Sequence, residues 1–145
     1  MATRPRFNAL AHGVRSGLEE SVSQSLTNLG VDYEYETLKI PYIIPASPHK
    51  YTPDFILPNG IIVETKGRFL VDDRHKHLLI QEQEPDLDIR FVFSSASTKI
   101  ATGAKTTVAE WCRKYGFKYA VKNIPLEWLA ESNPTSKERI EALRK

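Results

Sequence analysis

A chain of 145 residues with 41% hydrophobic content is long enough to pack one domain that buries roughly two-thirds of its unfolded surface, and no second domain is needed. Its single cysteine, Cys112, excludes an internal disulfide and fits a reducing compartment. No apolar run nears the ~18 residues of a membrane span and the N-terminus lacks an apolar signal core, so a soluble, non-exported, cytoplasmic protein with no membrane partner is expected. The net charge of +2 says little about nucleic acid until its distribution is read.

Residues 1–14 read as a basic tail. Arg4, Arg6 and His12, with Arg15 just beyond, precede the first acid of the chain. Such a run suits phosphate contacts, although in isolation a solvated tail is the simpler account. Ser16 can cap a helix carrying Leu18, Val22, Leu26 and Leu29 at helical spacing, stopped by Gly30. Within it Ser16-Gly-Leu-Glu19 is a capping box, which on its own gives Glu19 the task of reaching back to the Ser16 amide. Residues 31–40 alternate as a strand, with Val31, Tyr33 and Tyr35 on one face and Asp32, Glu34 and Glu36 on the other.

Between 41 and 53 stand Pro41, Pro45, Pro48 and Pro53. Each fixes its own backbone and biases its predecessor toward an extended shape, which predicts a stiff strap that spans ~40 Å when fully extended. Such a strap hinders the first helix and strand from folding back on their own chain and favours docking on a second subunit. A surface excursion with turns fits the same residues.

Residues 52–66 predict a β-hairpin, with Phe55-Ile-Leu57 and Ile61-Ile-Val63 flanking Pro58-Asn59-Gly60. A two-residue Asn59-Gly60 turn would pair Asp54 with Thr65 and send Glu64 to the other face. A three-residue loop sets Asp54 opposite Glu64, and has the better turn chemistry: proline at the first corner, glycine at the left-handed position. Lys66, two residues beyond Glu64, then shares its face. Two carboxylates so placed repel one another unless a cation lies between them, and hard cations such as Mg²⁺ take oxygen ligands. A lysine beside them can orient an attacking water or stabilise charge on a phosphoryl group. An ordinary hairpin with a protective edge lysine is the plainer alternative.

After Asp72-Asp73, the basic cluster Arg74-His75-Lys76-His77 opens a helix predicted over residues 73–84, with Leu78, Leu79 and Ile80. These side chains are candidate phosphate contacts, against an ordinary charged helix face. His75 and His77 are two apart and make poor zinc ligands on a helix. Residues 89–93 read as a buried strand. Thr107 and Glu110 form a capping box on a helix through Tyr115, closed by Gly116, and Cys112 reads as a small core residue in it. Residues 117–121 give a last strand, and Pro125 opens a short helix with Trp128 packed inward. Residues 131–145 are charged, lack a clear apolar face and are expected to fray. The succession predicts an α/β fold with a mixed central sheet flanked by helices.

Pro53-Asp54 followed by Glu64-x-Lys66 resembles the PD-(D/E)xK nuclease superfamily. Arg15-Ser-Gly-Leu-Glu19, Tyr33-Glu-Tyr-Glu36, Lys39-Ile-Pro-Tyr42, Ile44-Pro-Ala-Ser47, the hairpin through Gly67, Asp72-Asp-Arg74, Lys76-His-Leu-Leu-Ile80, Leu87-Asp-Ile-Arg90, Val92-Phe-Ser-Ser95 and Glu110-Trp-Cys112 are together similar to phage endonuclease I, the Holliday-junction resolvases of short-tailed phages. The similarity runs from about Arg15 to Trp128 and leaves the two tails apart, so that residues 15–130 make the nuclease domain, with 41–53 as a bridge between a swapped N-terminal element and the catalytic hairpin.

The resemblance implies a restriction-endonuclease-like fold, an intertwined, domain-swapped homodimer, and a catalytic set of Glu19, Asp54, Glu64 and Lys66. Glu19 would come from one chain and the others from its partner. It further implies metal ligation by Glu19, Asp54, Glu64 and the Thr65 carbonyl, with a pair of Mg²⁺ ions ~4 Å apart and Mn²⁺ as a substitute. The implied substrate is branched DNA, above all four-way junctions, cut by paired phosphodiester hydrolysis in the host cytoplasm. No Gly-x-x-x-x-Gly-Lys loop suggests ATP use. Two other readings stay open: a PD-(D/E)xK nuclease of restriction or transposon-end type, and a non-catalytic DNA-binding protein on a nuclease fold.

Overall fold

The two apolar runs flanking Pro58-Asn59-Gly60 pair as expected. In a computed structural model that describes residues 17–44 and 47–145, β4 (Phe55–Ile56) lies antiparallel to β5 (Ile61–Lys66), with Phe55 opposite Val63 and Ile56 opposite Ile62. Continued one step, this register sets Asp54 opposite Glu64. The Gly60 N–H donates to the Leu57 carbonyl at 3.0 Å, and Gly60 adopts φ +93°, the left-handed geometry that the three-residue loop requires.

The remaining strands extend this pair to either side. β1 (Glu34–Tyr35) joins β4 antiparallel, while β6 (Asp88–Phe93) joins β5 and β7 (Tyr119–Val121) joins β6 in parallel, giving a mixed sheet of order β1-β4-β5-β6-β7. Parallel neighbours need helical crossovers, supplied by α2 (Val71–Gln83) and α3 (Val108–Tyr115). Apolar clusters cover both faces of the sheet. Val22 and Leu26 of α1 (Gly17–Asn28) pack with Phe55, Val63 and Trp128. Ile80 of α2 packs with Ile56, Ile62 and Ile89, and Phe91 and Phe93 meet Phe69, Trp111 and the fully buried Cys112. The Thr107–Glu110 capping box and the left-handed Gly116 close α3 as anticipated, and Pro125 opens α4 (Leu126–Ala130), with Trp128 buried.

Four expectations are corrected. The strand over 31–40 shrinks to β1, because Glu36 takes φ +52° and donates its N–H to the Asp54 carbonyl, which turns the chain away from the sheet. Leu29 lies just past the end of α1 and is exposed.

The strap does not hold the N-terminal elements off their own chain. β2 (Ile40–Ile44) and β3 (Ser47–Tyr51) double back as a two-stranded sheet, and β1 pairs with β4 of the same chain. The prolines permit this because of where their nitrogens fall. Ile43 turns its N–H and C=O outward to the Gln83 side-chain amide, both at 2.6 Å. Pro48 lies opposite Ile43, and Pro41 shares that parity, so neither is asked for a ladder N–H.

The largest correction concerns residues 131–145, which form a docked helix, α5 (Pro134–Leu143), instead of a frayed tail. Its attachment is mostly polar. Ser136, fully buried, donates to the Gly60 carbonyl at 2.6 Å and accepts the Asp88 N–H at 3.0 Å. The buried Arg90 guanidinium forks onto Asp88 and Glu131 and lies over the Trp128 ring, while Arg139 pairs with Glu84. Asn59 donates to the carbonyls of Trp128 and Glu131, so the hairpin tip is held from the C-terminal side. A β-carbon on Gly60 would meet the Lys137 backbone nitrogen at 2.7 Å.

Ser136→Ala strands a buried carbonyl and a partly buried N–H at once. Urea unfolding is expected to show a loss of about 1–3 kcal/mol with an unchanged m-value. A loss below ~0.5 kcal/mol would mean that the serine does not anchor α5.

Candidate functional site: an acidic centre at the hairpin base

Strand alternation sends Ile62, Glu64 and Lys66 to one face of β5. The sheet is covered there, so the Glu64 carboxylate is buried, as is that of Asp54. Burial raises the pKa of both. For Glu64 the charge of Asp54 raises it further, opposed by Lys66 and by the Tyr51 hydroxyl, which donates to Glu64 Oε2. For Asp54 the rise is restrained by Thr65, whose N–H (2.9 Å) and hydroxyl (2.8 Å) both donate to Asp54 Oδ2.

Lys66 Nζ lies 4.0 Å from Glu64 Oε1 and donates to Asp73 Oδ1 at 3.2 Å. Burial alone would lower its pKa, but Glu64, Asp73 and Asp54 together raise it, so Lys66 stays a cation.

Glu19 arrives from α1. Its carboxylate accepts the Tyr35 hydroxyl, and one oxygen each from Glu19, Glu36 and Asp54 lie within 4.8 Å of one another. Asp54 thus belongs to two acidic groupings, one with Glu64 and Lys66 and one with Glu19 and Glu36. Oxygen-only donors of high negative charge fit hard divalent cations and exclude a soft-metal site. Thr65 sits at the junction of the two groupings, spending its N–H and hydroxyl on Asp54.

The basic cluster at the start of α2 divides. His75 is exposed and Lys76 half-buried, its Nζ 5.5 Å from the centre of the Tyr51 ring. Arg74 and His77 point inward and offer no surface to a phosphate. The Arg74 guanidinium donates to the carbonyls of Phe69 and Ile100, and His77 is enclosed by Tyr51 and Phe91 with burial holding its pKa well below the usual range. Arg4, Arg6, His12 and Arg15 lie outside the described residues.

Three participants escaped sequence reasoning. Tyr51 is fully enclosed, thirteen residues before the carboxylate it serves. Asp73 was read as a helix-start acid, and Glu36 as the outer face of a strand. Only Glu36 carried a signal, since an acid two residues after Glu34 continues the alternation of Asp32 and Glu34.

Tyr51→Phe keeps the ring and removes the donor that favours ionised Glu64. Its absence raises the proton affinity of Glu64, so a cation must displace a proton over a wider pH range. Calorimetric titration with Mn²⁺ is expected to show affinity weakened on the order of tenfold at neutral pH, with half-saturation moved to higher pH. An unchanged isotherm would show that the hydroxyl does not support Glu64.

Comparison with known proteins shows the family of the chain. The family model of phage endonuclease I matches residues 1–145, including both ends that sequence reading set apart. The chain is 60% identical over 117 residues to Endonuclease I of Escherichia phage T7, covering 81% of this chain and 78% of that protein. It is 55% identical over 117 residues to Endodeoxyribonuclease 1 of Enterobacteria phage T3, covering 81% and 77%. A match over the whole chain, with two such relatives, makes the protein a member of the phage endonuclease I family.

Proposed function

We propose that this phage endonuclease is a Mg²⁺-dependent, structure-selective enzyme that resolves four-way junctions and other branched DNA by paired hydrolysis of phosphodiester bonds, on a restriction-endonuclease-like fold. The observation that carries the reading is the convergence on Asp54 of Glu64 and Lys66 from one side and Glu19 and Glu36 from the other. Glu19, Asp54, Glu64 and the Thr65 carbonyl are the proposed metal ligands, for two ions in each site, with Mn²⁺ able to replace Mg²⁺. The bound ions would neutralise the carboxylates, activate water and stabilise the leaving oxygen.

This chain's own groups supply the rest. Tyr51 and Thr65 hold the two central carboxylates by hydrogen bonds, and Lys66, kept protonated, offers its charge to the phosphoryl oxygens. Water oxygen bonds to phosphorus as the bond from phosphorus to the sugar oxygen breaks.

The working form is proposed to be a domain-swapped homodimer in the host cytoplasm. Among the described residues no helix is long and apolar enough to cross a membrane. Within one chain Glu19 already lies beside Asp54. Opening the β2–β3 hairpin would let α1 and β1 make the same contacts on a second chain, so exchange replaces like with like. Two sites related by a two-fold axis match the approximate two-fold symmetry of a four-way junction, read by branch shape and phosphate positions.

Glu64→Gln keeps the shape of the side chain and surrenders ligand charge. Cleavage of a four-way junction in Mg²⁺ is expected to fall at least ~100-fold, with junction binding retained. A rate near that of the parent would remove Glu64 from the metal site. Cutting that follows sequence and ignores the branch would favour a restriction-type enzyme.

The swap is tested with Glu19→Ala and Lys66→Ala, each expected to be inactive alone, combined in one mixed dimer. Without a swap, every site keeps one lesion. With it, both lesions collect in one site and the other is intact, so the mixed dimer should nick one strand of a junction without the paired cut. Complete inactivity of a folded mixed dimer would rule out the cross-subunit assignment.

A further inference from the structure

Lys66, at the end of β5, lies opposite Phe93 at the end of β6, so the chain leaving β6 emerges at the end of the sheet that carries the acidic centre. The segment that follows, Ser94 to Thr107, has seven hydroxyl side chains, two lysines and no acid. The next acid, Glu110, is turned back into the α3 capping box.

This excursion is built, not loose. Ile100 N–H donates to the Thr106 carbonyl at 3.0 Å, Val108 N–H to the Thr98 carbonyl at 2.8 Å, and Lys99 bridges to Thr107. Lys99 Nζ arches over to the Lys105 carbonyl at 3.0 Å, and both lysines are exposed. The apolar demands of the fold account for little of it: Ile100 reaches the Phe69–Trp111 cluster, and the outer residues cover no core.

Arg74 ties the excursion to the site. Its guanidinium, buried, donates at once to the Phe69 carbonyl, in the segment following Lys66, and to the Ile100 carbonyl at 2.8 Å, at the centre of the excursion. No carboxylate pairs with Arg74 among the described residues. A buried cation compensated only by carbonyl dipoles keeps its charge unneutralised, and in the chain it directly follows Asp73, the ion-pair partner of Lys66. The burial of a charge needs such partners, and the long arginine side chain brings one nitrogen, Nη1, to both carbonyls, one atom beyond the reach of a lysine ammonium.

We infer that the Ser94–Thr107 excursion is a contact surface for the DNA backbone flanking the scissile phosphate, with Lys99 and Lys105 neutralising phosphates and Arg74 as the residue that positions it. This inference rests on the nuclease reading of the acidic centre and adds to it the surface that carries the DNA past that centre. Lysines and hydroxyls on an ordered backbone suit phosphate oxygens of any sequence, as an enzyme selecting branch shape requires.

The test measures binding of the full-length protein to a four-way junction in chelator, where hydrolysis is absent, across a salt series. The double variant Lys99→Ala/Lys105→Ala, altered only at exposed positions, should lose ~2 units of the log–log salt slope and bind on the order of tenfold more weakly near 0.1 M salt, with unchanged thermal unfolding. Arg74→Lys keeps the charge but falls one atom short of the Phe69 and Ile100 carbonyls, and should lose part of the same slope although Lys99 and Lys105 remain. If the parent binds the junction with a steep slope and the lysine variant keeps it, the surface is wrong while the nuclease reading stands. If the parent shows no salt-dependent binding, the DNA substrate itself falls and this surface with it.

Discussion

Burial of Glu64 beside Asp54 is the constraint that organises this molecule. A carboxylate enclosed by protein and facing a second carboxylate is costly in its charged form, and every neighbour answers that cost. The Tyr51 hydroxyl holds one oxygen, Lys66 stands near the other, and Thr65 spends two donors on Asp54. Lys66 in turn needs Asp73, which places the start of α2 against the end of β5. The arrangement is satisfied in part by hydrogen bonds, and the divalent cation proposed for this site would complete it.

The hairpin register was legible in the sequence because it is local: proline, asparagine and glycine at three consecutive positions specify a loop, and the loop length sets Asp54 against Glu64. The α3 caps were legible for the same reason. Long-range polar contacts were not. Residues 131–145 looked unanchored because Ile140 is the sole fully buried apolar side chain of α5, whereas its grip depends on Ser136, Asn133 and the Arg90–Glu131 fork, which no periodicity reveals. Likewise Arg74, His75, Lys76 and His77 form one basic run in sequence. Successive residues on a helix are 100° apart, so only the packing of α2 decides that Arg74 and His77 face inward.

Glu19 shows a resemblance adding what local pattern could not. Its capping-box spacing is a sufficient local explanation, and the approach to Asp54 becomes visible only when α1 is packed on the sheet. The proline strap shows the converse. Stiffness predicted from four prolines did not forbid a hairpin, because Pro41 and Pro48 fall where a strand has no ladder donor to lose.

The hold of the C-terminal segment on Asn59 and Gly60 has a temporal side. Trp128, Glu131 and Ser136 are translated some seventy residues after the turn they clasp. Until they emerge from the ribosome, the tip of the hairpin lacks its outer partners and is held by its own turn chemistry. The nascent chain therefore carries Asp54 and Glu64 well before it carries the contacts that hold the turn between them, and a polypeptide interrupted before Trp128 would present the hairpin without its clamp.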